Sequence, residues 1–176
     1  MGDEFIGGAM EIPSDAAAHG MRPWWLPYFH VDDVKESLAR IKAGGGAVHM
    51  PSMQIPGVGT LAMVSDPQGA TFYVMAPIGE GESTSFRPDA PGHGGWQELH
   101  AHDRKSALKF YREQFGWQAL EETNAGPMGP YQQFNAGAGK AIGGMLDDGK
   151  TPRPYWLIYF NVDDVDAALR RVRAAG

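Results

Sequence analysis

The sequence has no cysteine, which excludes disulfides, thiolate metal sites and cysteine nucleophiles. Lys and Arg never gather into a run, and the formal net charge is -6. Phosphate binding depends on concentrated positive charge, so no nucleic-acid partner is expected. No apolar run reaches the roughly 20 residues that span a bilayer, and no charged-then-apolar leader opens the chain, so no membrane partner is expected. The cytoplasm is the default expectation for such a chain, although lack of cysteine alone does not fix the compartment. There is no Gly-x-Ser-x-Gly elbow and no phosphate loop; Gly44-Gly45-Gly46 reads as a helix stop and Gly79 to Gly81 as linker. What is present is an apolar fraction of 43% with five Trp, six Tyr and eight Phe, enough to build a core. The 24 Gly and 13 Pro imply many turns, and 176 residues suit one ordinary domain or two small ones.

An internal repeat organises the rest. Pro23-Trp24-Trp25-Leu26-Pro27-Tyr28-Phe29-His30-Val31-Asp32-Asp33-Val34 recurs 131 positions later as Pro154-Tyr155-Trp156-Leu157-Ile158-Tyr159-Phe160-Asn161-Val162-Asp163-Asp164-Val165. The match continues from Ser37-Leu38-Ala39-Arg40-Ile41 into Ala168-Leu169-Arg170-Arg171-Val172, and upstream Ile6-Gly7-Gly8 resembles Ile142-Gly143-Gly144. Between the copies, Trp96-Gln97-Glu98-Leu99-His100, Asp103 and Ser106 to Tyr111 have the same strand-then-helix outline.

Each unit has a physical reading. Trp25 to Val31 is aromatic and β-branched and predicts a strand. Asp32 or Asp33 suits an N-cap, since a carboxylate accepts from the free amides of a first helical turn. Val34, Leu38 and Ile41 follow at helical spacing. Three strands then fit, Ala47 to Ile55, Gly59 to Ser65 and Thr71 to Met75, divided by Gly57 and the Asp66-Pro67-Gln68-Gly69 turn. The next unit predicts a strand at Gly95 to Ala101, a helix at Lys105 to Phe115, and strands at Trp117 to Thr123, Tyr131 to Ala136 and Lys140 to Met145. The expected fold is therefore α+β, built of repeated βαβββ modules. The expected divisions are 1–78 (the last strand of a first module, near Glu4 to Ile12, plus a complete second module), a Pro/Gly-rich linker at 79–94, and 95–176 (a third module plus the first strand and helix of a fourth).

The Val-Asp-Asp-Val strand end, the Asp-Pro-Gln-Gly turn before a final strand, and Phe110-Tyr111 with Phe115-Gly116-Trp117 closing a helix together resemble vicinal oxygen chelate modules. That is the glyoxalase, bleomycin-resistance and extradiol-dioxygenase superfamily, and the likeness is greatest to its tandem glyoxalase-like or hydroxylase-like proteins. A complete protein of that kind would hold four modules, so the resemblance implies a chain truncated at both ends; the alternative is a natural protein with unusual caps. It also implies metal ligands, His and Glu, on the first and last strands of paired modules. Carried over through the Asp-Asp-Val and Asp-Pro-Gln-Gly anchors, the first-strand ligand positions fall on Leu26, Trp96 and Leu157, and the last-strand position of the second module on Tyr73. In the third module Ala141 to Met145 offers no carboxylate. No metal is therefore expected at the family position.

Strand alternation predicts the face that would line a cupped sheet. It should hold Leu26, Tyr28 and His30, then Tyr73 and Met75, then Trp96, Glu98 and His100, and in the second copy Leu157, Tyr159 and Asn161. Trp25, Phe29 and Val31 should lie beneath the helix. Such an aromatic cup with a few polar groups suits a small organic ligand, although aromatics on sheets are more often plain core. Glu98, His100 and His102 alternate along one strand, so a rival reading is a lyase, isomerase or dioxygenase holding Fe, Mn, Ni or Zn with these residues and His30. The bland alternative has His102 starting a loop, Asp103 capping the helix, and His100 paired with Glu98 or solvent. A third reading is a fragment that packs on itself without a ligand. Finally, the opening strand near Ile6 to Ile12 and the closing strand near Tyr155 to Val162 each lack neighbours, so they are expected to pair, within one chain or across a homodimer, with the terminal helix covering Trp156 and Phe160.

Overall fold

The computed structural model describes residues 6–18, 20–79 and 83–176. A short helix α1 (Ser14–Ala18) precedes β1 (Tyr28–His30), α2 (Val34–Ala43), β2 (Ala47–Ile55), β3 (Gly59–Ser65) and β4 (Thr71–Pro77). There follow β5 (Gly94–Ala101), α3 (Arg104–Phe115), β6 (Gln118–Asn124), a 3-10 turn at Gly126–Met128, β7 (Pro130–Asn135), β8 (Gly143–Asp147), β9 (Tyr155–Phe160) and α4 (Val165–Ala175). The fold is α+β. One sheet runs β1-β4-β3-β2 and the other β6-β7-β8-β5-β9. In both, a strand, a helix and three further strands close on themselves, the last strand lying parallel to the first. Among the described residues no helix is long and apolar enough to cross a membrane.

Local chemistry explains the helix starts. Asp33 accepts from the Glu36 amide at 2.7 Å, Asp103 from the Lys105 and Ser106 amides, and Asp164 from the Ala167 amide at 2.8 Å. In each double-acidic copy the second Asp is the cap. At the far end of α2, a Cβ on Gly46 would lie 2.5 Å from the Ser65 carbonyl oxygen, so only glycine lets the chain turn so close to β3.

The two sheets turn their helix-bearing faces toward one shared core. The Phe29 ring of β1 lies 4.9 Å from Phe72 of β4, and also 4.9 Å from Trp117 and 5.4 Å from Trp156 of the second half. A buried polar chain threads this core: the Trp156 indole N–H donates to the Tyr111 hydroxyl at 3.2 Å, which donates to Asp66 Oδ2 at 3.1 Å. Asp66 Oδ1 accepts from the Gln68 and Ala70 amides, both at 2.9 Å. Burial raises the Asp66 carboxyl above its ordinary range despite these bonds. Gln68 and Asp103 exchange two hydrogen bonds of 2.8 Å, side-chain amide to backbone. The Asp-Pro-Gln-Gly turn is thus a clasp onto α3 as well as a turn, which the sequence pattern does not reveal.

Several expectations need correction. The described residues 6–12 form no strand, and Glu4 and Phe5 lie outside the described residues. Among the described residues no neighbouring strand pairs with this segment, and a strand without a partner is not stable. The closing strand β9 therefore does not pair with the opening segment; it lies antiparallel against β5, with Leu157 opposite Glu98. No residue of α4 is buried, so this helix does not cover Trp156 and Phe160. Trp156 is buried instead by Tyr111, Trp117 and Phe134 in the shared core. The first strand is shorter than expected, and Trp25 does not lie beneath a helix: it is 59% exposed and meets the Phe160 ring edge-on at 4.9 Å. It precedes the buried Pro27, ahead of the point where the strand alternation of β1 begins.

Candidate functional site

Because the helix-bearing faces meet in the core, the opposite, open faces of the two sheets look outward. On the first sheet, the parallel register sets Tyr28 beside Tyr73 and His30 beside Met75. The two tyrosine rings stack at 4.5 Å with an interplanar angle of 9°. Partial burial raises both phenols, with the mutual charge of Tyr73 adding at Tyr28. Leu26 is half-buried at the start of this surface, and Tyr28 and His30 are exposed.

The open face of the second sheet is polar and connected. Trp96, Glu98 and His100 alternate along β5, opposite Tyr159, Leu157 and Tyr155 of β9. Glu98 is 6% exposed, and a buried carboxylate is costly unless its oxygens are paired. Three donor-capable groups surround it. The Tyr131 hydroxyl of β7 donates to Oε2 at 2.8 Å, the Tyr159 hydroxyl donates to Oε1 at 3.1 Å, and His100 Nε2 faces Oε1 at 2.9 Å. The Trp96 indole N–H donates in turn to the Tyr131 hydroxyl at 2.7 Å. On its other side His100 Nδ1 faces Asp148 Oδ2 at 3.1 Å, and its ring stacks on Tyr155 at 4.4 Å.

The electrostatics keep the phenols protonated. Burial, followed by the charge of Glu98, pushes the Tyr159 hydroxyl up to about 12. Burial also raises Tyr131, with Glu98 adding and the Trp96 N–H partly offsetting the rise. The hydrogen bond from His100 holds Asp148 below the ordinary carboxylate range. At neutral pH the Tyr131 and Tyr159 hydroxyls therefore face Glu98 as neutral donors.

The register also settles which residue of β8 corresponds to Tyr73. Tyr28 pairs with Tyr73 in the first sheet as Glu98 pairs with Gly144 in the second. The positions that the resemblance assigns to metal ligands are thus Leu26, Trp96 and Leu157 on first strands, and Tyr73 and Gly144 on last strands. Alkyl, indole and neutral phenol groups, and a glycine, do not fit a divalent ion that takes imidazole and carboxylate. The space is filled as well: a Cβ on Gly144 would lie 2.2 Å from the Tyr131 ring. The other candidate ligands do not converge. His102 Nε2 faces the Thr151 carbonyl at 3.1 Å, and His30 lies on the other sheet. Among the described residues no group of three or more His, Asp and Glu is placed to hold a metal ion.

Of the residues expected to line a cup, the structure brings together Trp96, Glu98, His100 and Tyr159 on one surface, and Tyr28, Tyr73 and His30 on another. Asn161 joins neither. Its side-chain amide donates to the Arg87 and Ala90 carbonyls at 2.9 and 3.3 Å and so fastens the 87–93 segment beyond the end of β9. Sequence reasoning missed Tyr131, Tyr155, Asp148 and Gly144. The adjacent glycines Gly143 and Gly144 inside a strand were the available signal, since glycine there marks a close approach.

Residues 98–176 match the profile of the glyoxalase/bleomycin resistance protein/dioxygenase superfamily. Over 161 residues the chain is 32% identical to the anthracycline biosynthesis protein DauV of Streptomyces sp. (strain C5), an alignment covering 90% of this chain and 56% of that protein. The chain spans between half and two thirds of the length of the curated relatives it matches. Among solved structures it is similar to the Mn(II)-bound glyoxalase from Novosphingobium aromaticivorans, with a TM-score of 0.57, 17% identity and coverage of 85% of this chain and 50% of that one. It is also similar to the 2,3-dioxygenase LapB from Pseudomonas sp. KL28, with a TM-score of 0.54, 15% identity and coverage of 81% and 56%. At these identities the structural likeness speaks for the fold alone.

Proposed function

Since the chain belongs to the glyoxalase/bleomycin resistance protein/dioxygenase superfamily through residues 98–176, we propose that it binds a small organic molecule on an open sheet face, without the divalent metal its superfamily would imply. The observation that carries this reading is the occupied carboxylate of Glu98. Its oxygens already meet the Tyr131 and Tyr159 hydroxyls and the His100 ring, so they are engaged by protein groups rather than left open for a cation. Beside them Trp96 and the exposed ring of Tyr159 offer aromatic surface, the usual composition of a small-molecule site. The relative DauV is named for anthracycline biosynthesis, and a ligand with an aromatic ring system suits these faces. The like order of elements in the two sheets supports a duplicated βαβββ unit, with 79–94 as the connection between copies.

Calorimetric titration with 2-naphthol, before and after exhaustive treatment with EDTA, tests the reading. Saturable binding is expected, unchanged by EDTA, and weakened about tenfold in Trp96→Ala, a loss of about 1.4 kcal/mol. Stoichiometric Mn, Fe, Ni or Zn in the purified protein, required for binding and lost with His100→Ala, would replace it by the metal-dependent reading.

A further inference from the structure

Trp96 and Gly144 occupy the positions where a first strand and a last strand would each offer a metal ligand, and one side chain fills the space between them. The Tyr131 ring lies over Gly144, so close that even a methyl group there would sit 2.2 Å from it. Its hydroxyl accepts from Trp96 at 2.7 Å and donates to Glu98 at 2.8 Å. The glycine and the tyrosine are a matched pair, because any side chain at 144 would evict the ring. In the first sheet the corresponding last-strand position carries Tyr73, whose ring stacks on Tyr28 instead.

We propose that Tyr131, admitted by Gly144, stands in for the metal, and that it leaves Glu98 as the acceptor for a hydroxyl group on a planar ring. The proposal rests on the reading that this face takes a small organic molecule. Oε2 is held by Tyr131 from inside the sheet, whereas Oε1 is reached by Tyr159, which is 44% exposed and makes the longest of the three contacts at 3.1 Å. The Tyr159 phenol marks the place and the chemistry of the ligand group: a neutral hydroxyl on a flat ring. An incoming hydroxyl exchanges one neutral donor for another, with no net change of charge at a buried carboxylate. Anionic groups are disfavoured, since Glu98 and Asp148 both flank His100. The rings of His100 and Tyr155, stacked on one another at 4.4 Å, border the carboxylate on its other side.

The test compares 2-naphthol with 2-methoxynaphthalene, which keeps the ring and cannot donate, by calorimetry on the full chain. The wild type is expected to bind 2-naphthol about tenfold more tightly than the ether, the difference one hydrogen bond to a charged acceptor makes. Tyr159→Phe removes the competing hydroxyl and should tighten 2-naphthol binding about threefold to tenfold while leaving the ether unchanged. Equal affinity of the wild type for both compounds would overturn the hydroxyl assignment and leave small-molecule binding standing. Weaker 2-naphthol binding in Tyr159→Phe would overturn the exchange at Oε1. Saturable binding of neither compound would sink this proposal and the small-molecule reading together. Micromolar binding of Zn(II) to the wild type, abolished by Glu98→Gln, would show that Tyr131 does not replace a metal.

Discussion

The open faces of the two sheets have the same backbone plan and opposite chemistry. In the first, the crossing of first and last strands sets Tyr28 against Tyr73, and the two rings satisfy one another by stacking. In the second, the same crossing sets Glu98 against Gly144. A buried carboxylate demands donors and a bare glycine makes room for one, so Tyr131 enters from β7 and draws Trp96 with it. Two residues at one crossing thus decide whether the surface is an apolar stack or a polar network. The lesson is that in this fold the backbone places the positions, and the side chain opposite each one decides the chemistry.

The sharpest way to break this comparison is at the adjacent glycines. In Gly143→Ala the new methyl would lie 2.3 Å from the Gln97 carbonyl oxygen, a backbone atom that cannot turn aside. A loss of about 3 kcal/mol or more is expected in urea unfolding. Gly144→Ala meets only the tip of the Tyr131 side chain and should cost about 1 to 2 kcal/mol. Equal losses at the two sites would show that the Tyr131 ring cannot move, and the difference drawn between backbone and side-chain obstruction would fail.

Truncation at the crossings comes next. Glu98→Ala leaves the hydroxyls of Tyr131 and Tyr159 without their acceptor and should cost about 2 kcal/mol. Tyr28→Ala removes only a half-exposed stacked ring and should cost about 1 kcal/mol. Thermal unfolding of the two variants side by side measures the order, and a larger loss at Tyr28 would reverse the comparison. Smaller still is an alkaline effect. The folded Tyr159 hydroxyl is raised to about 12 by burial and the Glu98 charge, against 10.0 in its ordinary state. The folded state therefore holds that proton more tightly: the contribution to stability is complete below pH 10 and is lost as pH rises from 10 toward 12. Glu98→Gln should bring the tyrosinate absorbance of the second face to lower pH and leave Tyr28 and Tyr73 where they were; an unchanged titration would count against the coupling. The smallest change is expected from His102→Ala, within about 0.5 kcal/mol, because its ring faces only an exposed loop carbonyl.

Much of the fold was legible because its signals are local. The caps at Asp33, Asp103 and Asp164, the helical spacing of Val34 and Ile41, and the turns that divide β2 from β3 and β3 from β4 all depend on neighbours a few residues apart. The site was half legible. Alternation placed Trp96, Glu98 and His100 on one face, and Glu98 was foreseen as one of two alternative partners of His100, the other being solvent. Tyr131 and Asp148 were not, because the ring of Tyr131 crosses from β7 over β8 to reach Glu98, and Asp148 comes from beyond the end of β8. The opening segment misled for a related reason: resemblance to Ile142-Gly143-Gly144 marks a strand only where another strand is there to receive it.

The α+β class, the acidic helix starts, and the alternation that sorts the first strand of each unit into a buried and an open face were readable from the residues alone, because a few neighbours express each of them. Only the tertiary structure decided that both sheets share one core, that β9 pairs with β5, and that Tyr131 lies over Gly144 against Glu98. Those outcomes depend on which strands become neighbours, and a contact across 33 residues of chain, such as Glu98 with Tyr131, has no period to announce it.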